Sequence, residues 1–301
     1  MNRGTAPGAN FAYDANGNLK GLIGNVAAQT IALATPNDNF LISGTPNFKS
    51  KAIYYQMQEG SGSIINDSLG NGPSLNITGN TSNIWANPGW LTFDSAGNPM
   101  QAAGNTYINS LFQMVGFGGS IYIAFDYWYD SFNTGASESL FSIWRPLNAA
   151  GGLKLDHLKT SATNQVAVCF TPVGGGETQY TTVTDSSLTS QRISFILELD
   201  FSTWAKTGRV NWVTYRNGAI MKGNDFAMVT APPVESTGGM VLGAYYSGGF
   251  QQNLAAGTST GVRMARFFAM RQEVHNPQAG LYLSQWWAQP NYTLPNQLRN
   301  L

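Results

Sequence analysis

The sequence predicts an all-β fold, a two-sheet antiparallel sandwich preceded by an extended N-terminal arm. Three observations carry this reading. From about Lys49 onward, runs rich in Val, Ile, Tyr, Phe, Trp and Thr alternate with clusters of Gly, Pro, Asn and Ser at strand spacing. The 34 glycines supply the positive-φ positions that tight turns need. Residues 1–45, by contrast, carry few large side chains around polar turns such as Asp14–Asn18 and Thr35–Asn39, too few for a core of their own. They read as an arm or attachment segment that orders on its own domain or on a neighbouring subunit, or as a flexible tail. The expected organisation is therefore an arm over 1–45, a sandwich over 46–288 and a tail over 289–301.

Taken in order, the sandwich begins with a short strand around Tyr54 and Tyr55. It turns at Glu59-Gly-Ser-Gly62 and again at Asp67-Ser-Leu-Gly-Asn-Gly72, then reaches a strand ending in Leu91-Thr-Phe-Asp94. Ser120–Tyr129 has high β-propensity and is apolar on both faces in part, which suits a central strand. Strands follow at Leu140–Trp144, Val166–Phe170 and Thr178–Val183, the last two joined across Pro172–Gly176. Arg192–Asp200 and Thr207–Arg216 come next. After them, Asn217-Gly218 predicts a type I′ hairpin, because both central residues of that turn take positive φ. Met240–Gly243 and Val262–Met270 complete the set, followed by a polar run from Arg271.

These motifs, in this order, resemble a laminin-G-like domain of the concanavalin A-like lectin and glucanase superfamily. The quoted turns match its opening "EGSG…DSSGNG…LSFDG" pattern, and 207–218 its "GrvklYvNG" hairpin. The resemblance spans about residues 50–288. It implies a jelly-roll sandwich whose usual work is recognition, with catalysis confined to particular branches. The glucanases of the superfamily carry Glu-x-Asp-x-Glu on one strand face. Here Glu198 and Asp200 match, but Ser202 stands where the third acid, the acid/base, belongs. We therefore expect no catalytic residues, with Glu198 facing solvent on its strand and Asp200 accepting hydrogen bonds in a turn. A lyase site built from tyrosine and histidine would draw on His157 or His275, and neither has a sequence neighbour that implies general-base use.

The resemblance also implies a calcium loop, matched by Asp67, Asn71 and Gly72. The acidic pair of the final strand is replaced by Met264 and Ala265, and Asp67 reads first as a turn acceptor. No other cofactor is expected. For glycans, the aromatic and amide groups of Tyr245, Tyr246, Phe250, Gln251 and Asn253 form one expected rim. Trp85 and Trp90 form a second, although strand-end aromatics serve equally as core or interface. Trp286 and Trp287 read as an anchor for the tail.

Composition narrows the partners. Lys+Arg and Asp+Glu are both 16, which argues against nucleic acid. Charged residues are 11%, so amides and hydroxyls must cover much of the surface. A single cysteine, Cys169, excludes an internal disulfide and reads as a buried, inert thiol. No run approaches the ~18 apolar residues of a membrane helix. Read as a chain starting at Met1, it carries no apolar signal-peptide segment. The expectation is a virion component, a capsid decoration or fibre subunit assembled in the host cytoplasm. Its partners would be other virion subunits or itself through the arm, and cell-surface glycans. A polysaccharide-degrading enzyme and a free-standing lectin stand as alternatives.

Overall fold

A computed structural model describes residues 10–13, 19–23, 52–77, 85, 91–93, 100–102, 106–112, 118–129, 137–144, 152–159, 164–171, 178–181, 192–227, 240–247, 250–253, 262–275, 277 and 279–288. The chain divides into two compact units, 1–43 and 44–301. In the first, β1 (Asn10–Tyr13) and β2 (Leu19–Ile23) pair antiparallel.

The second unit opens with β3 (Ala52–Tyr55), β4 (Ile64–Ile65), β5 (Leu75–Ile77), β6 (Leu91–Phe93) and β7 (Met100–Ala102), then a helix at Thr106–Phe112. Next come β8 (Ser120–Tyr129), β9 (Ser137–Trp144), β10 (Gly152–Lys159), β11 (Asn164–Thr171), β12 (Thr178–Thr181) and β13 (Ile193–Asp200). A single helical turn, Trp204–Thr207, leads to β14 (Arg209–Arg216) and β15 (Ala219–Ala227). The unit ends with β16 (Met240–Leu242), β17 (Ala244–Ser247), β18 (Phe250–Asn253), β19 (Val262–Gln272) and a last helix, Ala279–Trp287.

Two large antiparallel sheets result. One runs β12-β11-β10-β9-β16-β7-β5-β4; the other runs β15-β14-β13-β8-β19-β3, with β6 beside β19 above β3. Alternate residues of both sheets meet in one apolar cluster. Phe141, Leu155, Val168 and Leu242 come from the first sheet, and Ile123, Phe125, Leu197, Trp212 and Phe267 from the second. Phe141 and Phe267 stack across the gap with ring centres 5.2 Å apart. The chain is thus an all-β, two-sheet antiparallel sandwich, as the sequence predicts.

The central position predicted for 120–129 is where β8 lies, between β13 and β19. The predicted turn is also present: Asn217 and Gly218 take φ of 50° and 84°, closing β14 onto β15. Cys169 falls on β11 and His157 on β10, and the side chains of both lie outside the described residues. So do residues 289–301.

One feature departs from the simple pattern of an apolar inner face and a wet outer face. Every residue of β13 is buried, because the last helix lies along the outer face of this sheet. Trp286 and Trp287 belong to that helix and help fix it to the sheet; the tail that the sequence expects them to anchor lies outside the described residues. Trp287 packs edge-on against Tyr54 at 6.0 Å and beside Phe268 at 6.0 Å.

Candidate functional site

The outer face beneath the last helix concentrates the molecule's buried polar chemistry, and strand register explains how. Residues directly opposite across antiparallel strands share a face. Ser194, Asp126 and Arg266 form one row across β13, β8 and β19, followed by Ile196, Ala124 and Phe268. Glu198, Tyr122 and Met270 come next, then Asp200, Ser120 and Gln272.

Glu198 sits at the centre of the third and fourth rows, 3% exposed. Tyr215 Oη donates to its Oε2 at 2.7 Å. Tyr122 Oη stands 3.2 Å from Oε1 and 3.3 Å from Gln272 Oε1, so its one proton serves one acceptor at a time. His275, three residues past β19, brings Nδ1 within 2.8 Å of Ser120 Oγ, 3.4 Å of Asp200 Oδ1 and 3.7 Å of Glu198 Oε1. Burial pushes the Glu198 carboxyl up to about 7, assisted by the Asp200 charge and opposed by the two tyrosine hydrogen bonds. Burial and the Glu198 carboxylate raise both tyrosines in turn.

The roof of this cluster is backbone. A Cβ placed on Gly280 would meet Glu198 Oε2 at 2.1 Å and Tyr215 Oη at 2.4 Å. The helix therefore approaches so closely only because residue 280 is glycine. A carboxyl poised near neutrality beside an imidazole has the makings of an acid–base pair. With the helix seated, no reacting group can reach Glu198.

The structure corrects the expectation that Glu198 faces solvent. Asp200 does behave as a turn acceptor: Ser202 N donates to its Oδ1 at 2.8 Å, and Asn211 Nδ2 reaches Oδ2 at 3.2 Å. Sequence reasoning missed His275, Tyr122 and Tyr215 as members of this site. Alternation flagged the Glu198–Asp200 face, but the strand order β14-β13-β8-β19 was needed to bring the others to it.

The other predicted sites separate. Asp67 is buried, and its carboxylate accepts four backbone N–H groups. Oδ1 takes those of Tyr54 (2.7 Å) and Leu69 (3.1 Å); Oδ2 takes those of Asn71 (2.8 Å) and Gly72 (2.7 Å). Asn71 Nδ2 points to Ala52 O at 3.4 Å. A carboxylate so occupied has no lone pairs left for a cation, so the loop does not fit calcium and holds β3 instead. Among the described residues no cluster of three or more His, Cys, Asp or Glu could hold a metal.

The expected rim at 245–253 is a hairpin, in which Tyr245 pairs with Gln252, Tyr246 with Gln251, Ser247 with Phe250, and Ala244 with Asn253. It stands apart from the Glu198 cluster on its own two-stranded sheet. Trp85 is half-buried against the core and donates to Gly62 O at 2.9 Å, and Trp90 lies outside the described residues. No described helix is long and apolar enough to cross a membrane.

No family model matches this sequence, and no curated protein sequence does either. Solved structures do match. The binding domain of botulinum neurotoxin DC, in complex with rat synaptotagmin II, superposes with a TM-score of 0.53 at 11% identity over 80% of this chain and 52% of that one. A Trypanosoma rangeli sialidase in complex with 2,3-difluorosialic acid gives 0.53 at 12% identity, over 95% and 43%. The serotype C1 botulinum neurotoxin binding domain gives 0.51 at 11%, over 81% and 53%. The likeness is one of fold. The chain spans about half the length of these structures.

Proposed function

We propose that this chain is a non-enzymatic recognition sandwich for carbohydrate, carried on a virion as a capsid decoration or fibre subunit. The observation that carries the non-enzymatic part is the closure of Glu198. The acid pair that resembles the glucanase motif lies under the Gly280 backbone, with Ser202 in place of the third acid. Hydrolysis of a glycoside needs two carboxyl groups that flank a bound sugar. Support for carbohydrate comes from the fold shared with a sialidase bound to a sialic acid derivative. Support for a protein or subunit partner comes from the fold shared with a toxin domain bound to synaptotagmin II.

In this reading the hairpin β17–β18, with Tyr245, Tyr246, Phe250, Gln251 and Asn253, forms the sugar-facing rim, and residues 1–45 attach the sandwich to its own copies or to other virion subunits. A glycan array probed with the full chain tests the first part. We expect saturable binding to a restricted set of sugars, reduced at least tenfold by Tyr245→Ala or Tyr246→Ala. Retention of no glycan would remove carbohydrate recognition, and release of reducing ends from any polysaccharide on the panel would replace it with hydrolysis. Light scattering on the full chain and on a form starting at Pro46 tests the second part. Loss of an oligomer with the arm is the expected result.

A further inference from the structure

The contact between Glu198 and the last helix has two properties that rarely coincide. It is buried, and among the described residues it holds no lysine or arginine. Tyr122 from β8 and Tyr215 from β14 bond the Glu198 carboxyl, with Asp200 of the same strand beside it; Ser120 bonds His275 and Asn211 bonds Asp200. Gln272 from β19 and His275 just beyond it complete the wall. The helix above, Ala-Gly-Leu-Tyr-Leu-Ser-Gln-Trp-Trp, brings no charged residue, and its Gly280 backbone lies directly on Glu198 Oε2. An ionised carboxylate here would face a second acid two residues away and a roof with no cation to answer it. A neutral carboxyl fits as it stands, its proton within reach of the Tyr122 hydroxyl at 3.2 Å or the Tyr215 hydroxyl at 2.7 Å.

We propose that Glu198 is a proton-operated latch for the last helix. With Glu198 protonated the helix is seated; with Glu198 ionised it lifts, and the outer face of β13, β8 and β19 opens to water. The carboxyl, raised to about 7 when covered, returns toward its ordinary 4.5 once the helix lifts. The raised group binds its proton more tightly in the seated form, so seating is strongest below 4.5. It weakens as pH climbs to about 7 and stays weak above. Across that window the seated-to-lifted ratio falls by up to roughly tenfold per pH unit, about a hundredfold in all.

Hydrogen exchange on the full chain, corrected for the intrinsic pH dependence of the chemistry, reads this directly. Amides of 279–288 should lose about a hundredfold in protection between pH 5 and pH 8, while those of 193–199 in β13 keep theirs. In Glu198→Gln, whose side chain cannot ionise, protection of 279–288 should stay level across the same range. Equal protection of the wild-type helix at both pH values overturns the latch. So does a parallel loss in 193–199, which would mark the cost as one of global folding. A Glu198→Gln chain with the wild-type pH dependence overturns it too. Should that variant not fold, Tyr215→Phe keeps the test alive. Loss of its hydrogen bond to the carboxylate should move the midpoint of helix release to higher pH, and an unmoved midpoint counts against Glu198 as the titrating group.

Discussion

The last helix rests on two buried carboxylates, and the protein accommodates them in opposite ways. At the helix C-terminal end, Asp126 is fully buried and paired with both Arg192 and Arg266. Arg266 also donates to the carbonyl of Trp287, and its guanidinium lies 4.2 Å above the Trp287 ring. Ser194 Oγ stands 3.1 Å from both Asp126 Oδ1 and that same carbonyl. This end is balanced by charge and by a cap on the helix terminus. At the N-terminal end, Glu198 meets two tyrosine hydroxyls, with an imidazole 3.7 Å away, and is balanced by a proton. A charge-balanced anchor holds over a wide pH range; a proton-balanced one holds only while the proton stays. One end of the helix is therefore a fixed hinge and the other a conditional clasp.

Asp126→Ala should have the largest effect. It strands Arg266 in a buried site, and removing one partner of such a pair costs about 3–5 kcal/mol. The urea midpoint should fall at every pH tested. A loss confined to high pH would mean that the two ends do not differ as described.

Glu198→Gln should act in the opposite sense and only on one side of the scale. Holding the carboxyl at about 7 instead of 4.5 weakens the seating of the helix by roughly 3 kcal/mol above pH 7. The variant should thus hold its helix up to about that much more firmly than wild type at pH 8, read from amide exchange of 279–288. Near pH 4.5 the two should agree to within about 1 kcal/mol, the scale of one altered hydrogen bond. Parallel pH dependences of that exchange in the two chains would sink the assignment. Arg192→Ala is the gentlest probe. Its side chain is 36% exposed, so solvent screens the pair and Arg266 remains. The expected loss is about 1 kcal/mol or less by thermal unfolding, and a larger one would make Arg192 rather than Arg266 the main partner of Asp126.

Most of the sandwich is legible in the sequence because its signals are local. Ser120–Tyr129 shows a central strand by being apolar on both faces, and Asn217-Gly218 shows a tight hairpin by its need for positive φ. Asp67 is legible as a turn acceptor for the same reason, since its partners Leu69, Asn71 and Gly72 lie within five residues. The Glu198 cluster is not local. Its members come from four places along the chain and meet only through sheet order and register, which alternation alone does not specify. The burial of Glu198 was missed because a strand pattern reports that a face is polar, without reporting what covers it. Gly280 carried the one available hint: a glycine near the start of a helix costs about 1 kcal/mol against alanine and so asks for a packing reason.

The place of β19 in the second sheet has a consequence for how this molecule comes to exist. It pairs with β8 along one edge and with β3 and β6 along the other, so strands from the opening of the sandwich wait for one made near its end. A chain emerging from the ribosome shows β8 with a bare edge for as long as everything from β9 to β18 takes to be synthesised. Such late, distant closure makes for slow folding and a prolonged chance of pairing with the wrong neighbour. A crowded site of synthesis, with many copies of this chain side by side, would put that vulnerable interval under the greatest strain.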